Sequence, residues 1–84
     1  MAFSDLVVRD AWKRAGGKCE CVRTTHGHTG RCNKDLVWEN RGREGRGRWE
    51  THHKTSVSAG GSDSLSNCEI LCFDCHSETR TFGS

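Results

Sequence analysis

The six cysteines constrain this chain more than any other feature, because they stand in only 84 residues, of which 32% are hydrophobic. A chain this short with so few apolar groups buries too little surface to offset its conformational entropy. We therefore expect one small domain, residues 1–84, that needs a covalent or metal staple. Six cysteines and five histidines supply the groups for one.

The cellular compartment decides whether cysteines are expected to form disulfides or to bind zinc. The N-terminal residues carry Asp5, Arg9 and Asp10 where a secretion signal would need an apolar stretch, and no segment approaches transmembrane length. We therefore expect a cytoplasmic protein without a membrane partner. Thiols stay reduced there, so zinc is favoured over a disulfide framework.

Local sequence patterns predict a helix and an irregular knuckle in the N-terminal half. Ser4 can cap a helix over residues 4–15, and Gly16-Gly17 can end it. The apolar face predicted for this helix consists of Leu6, Val7, Ala11, Trp12 and Ala15. Residues 18–35 follow as an irregular knuckle rich in Gly, Thr, His and Cys.

The sequence pattern of the C-terminal half predicts a β-hairpin and a helix. Residues 36–40 and 47–53 have short strand character, and the Gly-Arg-rich turn between them favours a β-hairpin. After the loop SVSAGGSDS, a helix is predicted near residues 66–79. The sequence thus predicts a small α+β fold.

The last third of the chain carries imidazoles, an amide and a thiol pair within thirty residues, at His52, His53, Asn67, Cys72, Cys75 and His76. Cys72-x2-Cys75 has zinc-knuckle spacing, and tetrahedral zinc needs two more ligands. The line WETHHKTSVSAGGSDSLSNCEILCFDCHSETR resembles the HNH nucleases. Upstream, AWKRAGGKCEC resembles the helix and first cysteine knuckle of the zinc-containing members.

The resemblance implies a zinc-stapled ββα-metal finger over residues 36–80, built around one catalytic divalent metal such as Mg²⁺ or Mn²⁺. It implies His52 and His76 as ligands of that metal, His53 as the general base that activates water, and Asn67 as the amide that orients His53. A neutral imidazole suits the base role, because its ordinary pKa of about 6.5 leaves it able to accept a proton. Adjacent strand residues point to opposite faces, so His52 and His53 share a site only if the strand bends or ends there.

The resemblance also implies a structural Zn²⁺ with Cys19 as its first ligand. The family's usual partner would lie three positions on, but that residue is Val22, so the choice falls between Cys21 and Cys32. Cys32 precedes Asn33, which tolerates a left-handed turn. The favoured set is Cys19, Cys32, Cys72 and Cys75, with Cys21 competing with Cys32.

The remaining cysteines and the histidines of the knuckle have other expected roles. Cys68 precedes an apolar pair, so a buried inert thiol is the expected role. A second zinc at Cys21, His26 or His28 stays open beside the reading of both histidines as solvated loop residues.

Charge indicates the partner. The net charge is only +2, but four arginines cluster in residues 41–48, hereafter the basic arm: Arg41, Arg43, Arg46 and Arg48. We expect Arg43, Arg46 and Arg48 to follow DNA phosphates, the alternative being a solvated hairpin tip. Arg80 is expected to hold a phosphate near the site, close to where family members often carry a lysine.

The predicted function is metal-dependent hydrolysis of phosphodiester bonds in DNA, with double-stranded DNA as the expected partner. No base-reading element is left over, so specificity would come from a second copy or a partner protein. The alternatives are a non-catalytic zinc-ribbon module that binds nucleic acid and a purely structural zinc domain. The first leaves His52, His53 and Asn67 without a purpose.

Overall fold

The computed structural model of the protein describes residues 3–23 and 30–78, and its N-terminal helix agrees with the local pattern. Helix α1 spans Asp5–Ala15, and Ser4 Oγ accepts a hydrogen bond from the Val7 amide at 3.3 Å. Gly16 ends the helix in the left-handed region, at φ 66°. The predicted apolar face was wrong at one position, because Leu6 is exposed and Val8 is buried in its place. Val8, Ala11 and Ala15 repeat at helical spacing, whereas residue 6 lies on the opposite side.

A β-hairpin is present, but the strand near residues 47–53 pairs with a different segment from the predicted residues 36–40. Strand β1, Trp49–His53, pairs antiparallel with β2, Cys68–Cys72, from Trp49 opposite Cys72 to His53 opposite Cys68. The predicted partner segment instead contains a 3₁₀ turn at Trp38–Asn40. The physical reason is that the buried Trp49 indole donates to the Val37 carbonyl at 2.8 Å, so this backbone acceptor is taken by a side chain and not by a strand partner.

The first half of the predicted C-terminal helix is wrong, because part of it forms the second strand of the hairpin. Leu65–Asn67 is a 3₁₀ turn, residues 68–72 are β2, and helix α2 covers only Phe73–Ser77. All five residues of β2 are buried, so the run shows no alternation that would identify it as a strand. The end of the predicted helix at Thr79 lies outside the described residues.

Two small clusters of buried side chains lie on the two sides of the hairpin. One, hereafter the α1 cluster, joins α1 to the hairpin and consists of Phe3, Val8, Ala11, Ala15, Trp49, Cys68 and Ile70. The other consists of Cys19, Cys21, Leu71, Cys72 and Cys75. Because Ile70 and Leu71 point to opposite faces, β2 separates an aromatic and aliphatic core from a core made mostly of sulfur. In the part of the chain that the structure describes, no helix has the length and apolar character needed to cross a bilayer.

Candidate metal and catalytic centre

Four cysteine side chains converge on one point. The sulfur atoms of Cys19, Cys32, Cys72 and Cys75 all lie within 4.8 Å of one another. Zinc binds thiolates at about 2.3 Å, which sets the sulfurs of a tetrahedral site roughly 3.8 Å apart. The four thiols therefore can hold a zinc ion, and they are the set that the sequence favoured.

The knuckle is closed by backbone hydrogen bonds. The Cys32 amide donates to the Cys21 carbonyl at 2.7 Å, and the Asn33 amide donates to the Cys19 carbonyl at 3.1 Å. Asn33 adopts φ 55°, the left-handed turn expected for it. This turn follows Cys32, and together with the two hydrogen bonds it holds Cys32 close to Cys19, thirteen positions earlier in the chain.

The electrostatics of the cluster suit a cation. A hydrogen bond from the Cys19 thiol lowers the pKa of Cys72, and a further hydrogen bond comes from the Cys75 amide at 3.5 Å. Burial raises the pKa of Cys75. The pKa shifts therefore make Cys72 lose its proton more readily than Cys19 or Cys75, and the thiolate is the form of cysteine that binds zinc.

The remaining cysteines differ from those four. Cys21 is buried beside the cluster, and its sulfur accepts a hydrogen bond from Arg23 Nη1 at 3.6 Å, but it is not one of the four convergent sulfurs. Cys68 lies in the α1 cluster, where burial raises its pKa to about 11, as expected of an inert thiol. His26 and His28, candidate ligands of the second zinc left open by the sequence, lie outside the described residues.

His52 and His76 face each other across β1 and α2. Their ring centres are 5.5 Å apart and the rings are inclined at 68°. Imidazole nitrogens bind a divalent ion at about 2.0–2.1 Å, which sets the centres of two rings on one ion roughly 5 Å apart. The observed separation of the ring centres is close to that value, and Glu50 Oε2 lies 3.5 Å from His76 Nδ1.

Burial keeps His52 neutral. The side chain is 5% exposed, and this burial, reinforced by the nearby Arg23, lowers the pKa of His52 to about 4. Arg23 itself pairs with Glu69 at 2.8 Å, and Glu69 stands opposite His52 in the hairpin. A neutral ring has its lone pair available for a cation at physiological pH.

His53 contacts residues other than His52 and His76. Its Nε2 lies 2.7 Å from Asp63 Oδ1, and its ring stacks on Phe3 with centres 3.9 Å apart and planes at 20°. Strand β1 ends at His53. Sequence reasoning missed both Asp63 and Phe3. The only available signal was the single acidic residue of the loop SVSAGGSDS.

Asn67 ties the loop between the strands to the base of the hairpin. Its Oδ1 accepts from the Thr55 amide at 2.7 Å, and its Nδ2 donates to the carbonyls of Thr55 at 3.0 Å and Ser62 at 2.8 Å. A Cβ on Gly61 would overlap the Thr55 carbonyl oxygen, so the loop closes only with glycine there. Asn67 thus fixes the loop that carries Asp63.

The basic arm divides into two kinds of arginine. Arg43 and Arg46 are exposed, but Arg48 is half-buried, with its guanidinium carbon 3.9 Å from the centre of the Phe73 ring. Arg48 therefore packs on the first residue of α2 rather than standing free in the turn. Arg80 lies outside the described residues.

Comparison with known proteins identifies the family. No individual curated protein matches the chain significantly. A family profile described as HNH endonuclease matches residues 30–81, which include the hairpin, the loop and α2. Membership implies a nuclease-type function and nucleic-acid binding in general. With more than half of its length matched, the chain belongs to the HNH endonuclease family.

Proposed function

We propose that the chain is a metal-dependent endonuclease that hydrolyses phosphodiester bonds in DNA. The strongest support is the placement of three imidazoles on β1 and on helix α2, which directly follows the hairpin. His52 and His76 face each other at 5.5 Å, while His53, the last residue of β1, is held separately by Asp63. Hydrolysis of an anionic diester needs both a cation site and a separate base, and these positions supply the two.

His53 is the general base. Its side chain is 16% exposed, so water can reach the ring while Phe3 and Asp63 limit its rotation. The ring accepts a proton from the attacking water, whose oxygen forms the new bond to phosphorus as the bond to the 3′ oxygen breaks. A base held in one orientation avoids the entropy cost of finding it in the transition state.

His52 and His76 would hold the catalytic divalent ion, Mg²⁺ or Mn²⁺. When bound, such an ion neutralises charge on the leaving oxygen. Burial keeps His52 unprotonated, because the folded pKa of about 4 is far below cytoplasmic pH. The cation therefore does not compete with a proton for this ring.

The four convergent cysteines position this site. Cys75 directly precedes His76 in α2, and Cys72 directly precedes the helix. A structural Zn²⁺ on these thiols would fix the start of a helix of only five residues, too short to be stable alone. Zinc would thus define where His76 stands.

Exposed arginines supply the DNA contact. Arg43 and Arg46 extend from the turn that leads into β1, beside the strand that carries the histidines. Their charges would track phosphates of duplex DNA without reading bases. Specificity would come from a second copy or a partner protein.

The decisive experiment measures nicking of supercoiled plasmid by the zinc-loaded protein with added Mg²⁺ or Mn²⁺. Wild type should nick, and His53→Ala should abolish nicking while zinc content, fold and DNA affinity stay unchanged. The reason is that the base touches only the attacking water, so its loss removes an interaction made in the transition state. His52→Ala and His76→Ala should instead raise the metal concentration needed.

Ser58→Ala is the matched control, because Ser58 is exposed in the same loop and contacts only Ser56 Oγ among the contacts described, at 3.2 Å. It should nick like wild type. Equal nicking by wild type and His53→Ala would place the activity in a contaminant or another site. Absence of nicking with every divalent metal, together with intact DNA binding, would favour the non-catalytic zinc module.

A further inference from the structure

We propose that Asp63 is a positioning residue that selects the reactive nitrogen of His53. Its carboxylate would hold the proton on Nε2, which leaves Nδ1 as the atom that accepts the proton from water. This inference rests on the proposed role of His53 as general base. It adds a residue and an atom that the general function does not specify.

The geometry of the pair carries the inference. His53 Nε2 and Asp63 Oδ1 are 2.7 Å apart, a separation typical of a charge-assisted hydrogen bond. An ionised carboxylate only accepts hydrogen bonds, so Nε2 must be the donor. In a neutral imidazole the other nitrogen, Nδ1, then carries the lone pair.

Phe3 restricts the remaining freedom of the ring. Its ring lies nearly parallel to that of His53, with centres 3.9 Å apart, and Phe3 is itself 5% exposed within the α1 cluster. Stacking fixes the plane of the imidazole, and the hydrogen bond to Asp63 fixes its rotation within that plane. Together the two contacts give Nδ1 one direction.

The loop delivers Asp63 to this position. Asn67 Nδ2 holds the carbonyl of the preceding residue, Ser62, at 2.8 Å, and the Gly61 amide donates to the Ser56 carbonyl at 2.8 Å. The two bonds fix the chain immediately before Asp63. The position of the carboxylate is thereby set by hydrogen bonds to the backbone of its own loop.

The proton and electron movements balance. The O–H bond of water breaks and its proton goes to Nδ1. The oxygen forms a bond to phosphorus, and the bond from phosphorus to the 3′ oxygen breaks with its electron pair on that oxygen. The leaving oxygen takes a proton from solvent, and Nε2 keeps its proton on the side of Asp63 throughout.

Nitrogen-15 NMR of the zinc-loaded protein at about pH 8, where an ordinary imidazole is neutral, tests the assignment without any cleavage. Wild-type His53 should be the Nε2–H tautomer. Asp63→Asn should give a mixture of tautomers, because the amide can either accept or donate. Asp63→Glu retains a carboxylate and should restore the Nε2–H form.

Kinetics then separate positioning from folding or metal binding. Asp63→Asn should lower kcat on the order of 10²–10⁴-fold, by analogy with other oriented histidine bases, with KM and the Mn²⁺ requirement unchanged. Ser64→Ala removes the hydroxyl contacts to Ser62 and Ser66, its two side-chain contacts among the described residues, and should leave kcat unchanged.

Several results would overturn the inference. An Nδ1–H tautomer in wild type would contradict it even if His53 is the base, as would an unchanged kcat in Asp63→Asn. A raised Mn²⁺ requirement with an unchanged tautomer would make Asp63 a metal-site residue. If wild type fails to nick at all, the proposed function falls, and with it the catalytic role of Asp63.

Discussion

Removal of the Asn67 side chain should loosen the loop between the two strands without unfolding the protein. Asn67→Ala eliminates three hydrogen bonds, to the Thr55 amide, the Thr55 carbonyl and the Ser62 carbonyl. Each such bond contributes about 0.5–1.5 kcal/mol net, and these lie at an accessible edge where water partly replaces them. We therefore expect the free energy of local opening to fall by about 2 kcal/mol, which is roughly a 30-fold change in the opening equilibrium.

Amide hydrogen exchange resolves this effect by position. The Gly61 amide, bonded to the Ser56 carbonyl at 2.8 Å, reports loop opening, and its exchange should accelerate about 30-fold. The Val8 amide, bonded to the Ser4 carbonyl at 3.0 Å at the start of α1, should exchange as in wild type.

Activity and a matched variant complete the test. Because Asp63 follows the clamped segment, Asn67→Ala should lose part of the nicking activity, less than His53→Ala loses. Ser66→Ala alters a neighbouring exposed side chain whose hydroxyl contacts only Ser64 Oγ among the described contacts, and should change neither exchange nor activity. Unchanged Gly61 exchange in Asn67→Ala would refute the reasoning, and inactivity with unchanged exchange would place Asn67 in the chemistry itself.

Three further outcomes follow from the same structure. Strong chelation should abolish helical and tertiary signals together, and Cys72→Ser should give unfolded or insoluble protein; a chelated protein with an unchanged thermal melt would contradict the zinc staple. Arg43→Ala combined with Arg46→Ala should weaken binding to all DNA sequences alike and flatten the salt slope by about 1.8, whereas Arg48→Ala should lower the melting temperature through a loss of about 1–2 kcal/mol of ring stacking. Acidification from pH 7 to 5 should destabilise wild type more than His52→Gln, by on the order of 2 kcal/mol. The unfolded histidine, with its pKa near 6.5, gains a proton in that range, while the folded one, near 4, does not. Equal losses of stability in chemical denaturation of the two proteins would contradict this account.

Residues close in sequence determined the parts that could be predicted. The helix with its cap at Ser4 and its stop at Gly16 depends on hydrogen bonds between residues a few positions apart, so its bounds could be read directly. The paired cysteines and the left-handed turn at Asn33 likewise follow from local spacing and conformation. The family was identifiable for the same reason, since the histidines, Asn67 and the Cys72-x2-Cys75 pair occupy one continuous stretch.

Only the tertiary structure decided which segments pair and what surrounds His53. Strand β2 is buried on both faces, so its sequence lacks the alternation of a half-exposed strand, and its pairing with β1 closes a loop of fourteen residues, 54–67. Phe3 reaches His53 from fifty positions away along the chain. Asp63 could be identified as a loop acid from the sequence, but its bond to His53 depends on how Asn67 folds that loop. Such contacts form only when the whole chain is compact, because each must offset the entropy of closing the loop between its residues. Local conformational preferences do not determine which of these long-range contacts form.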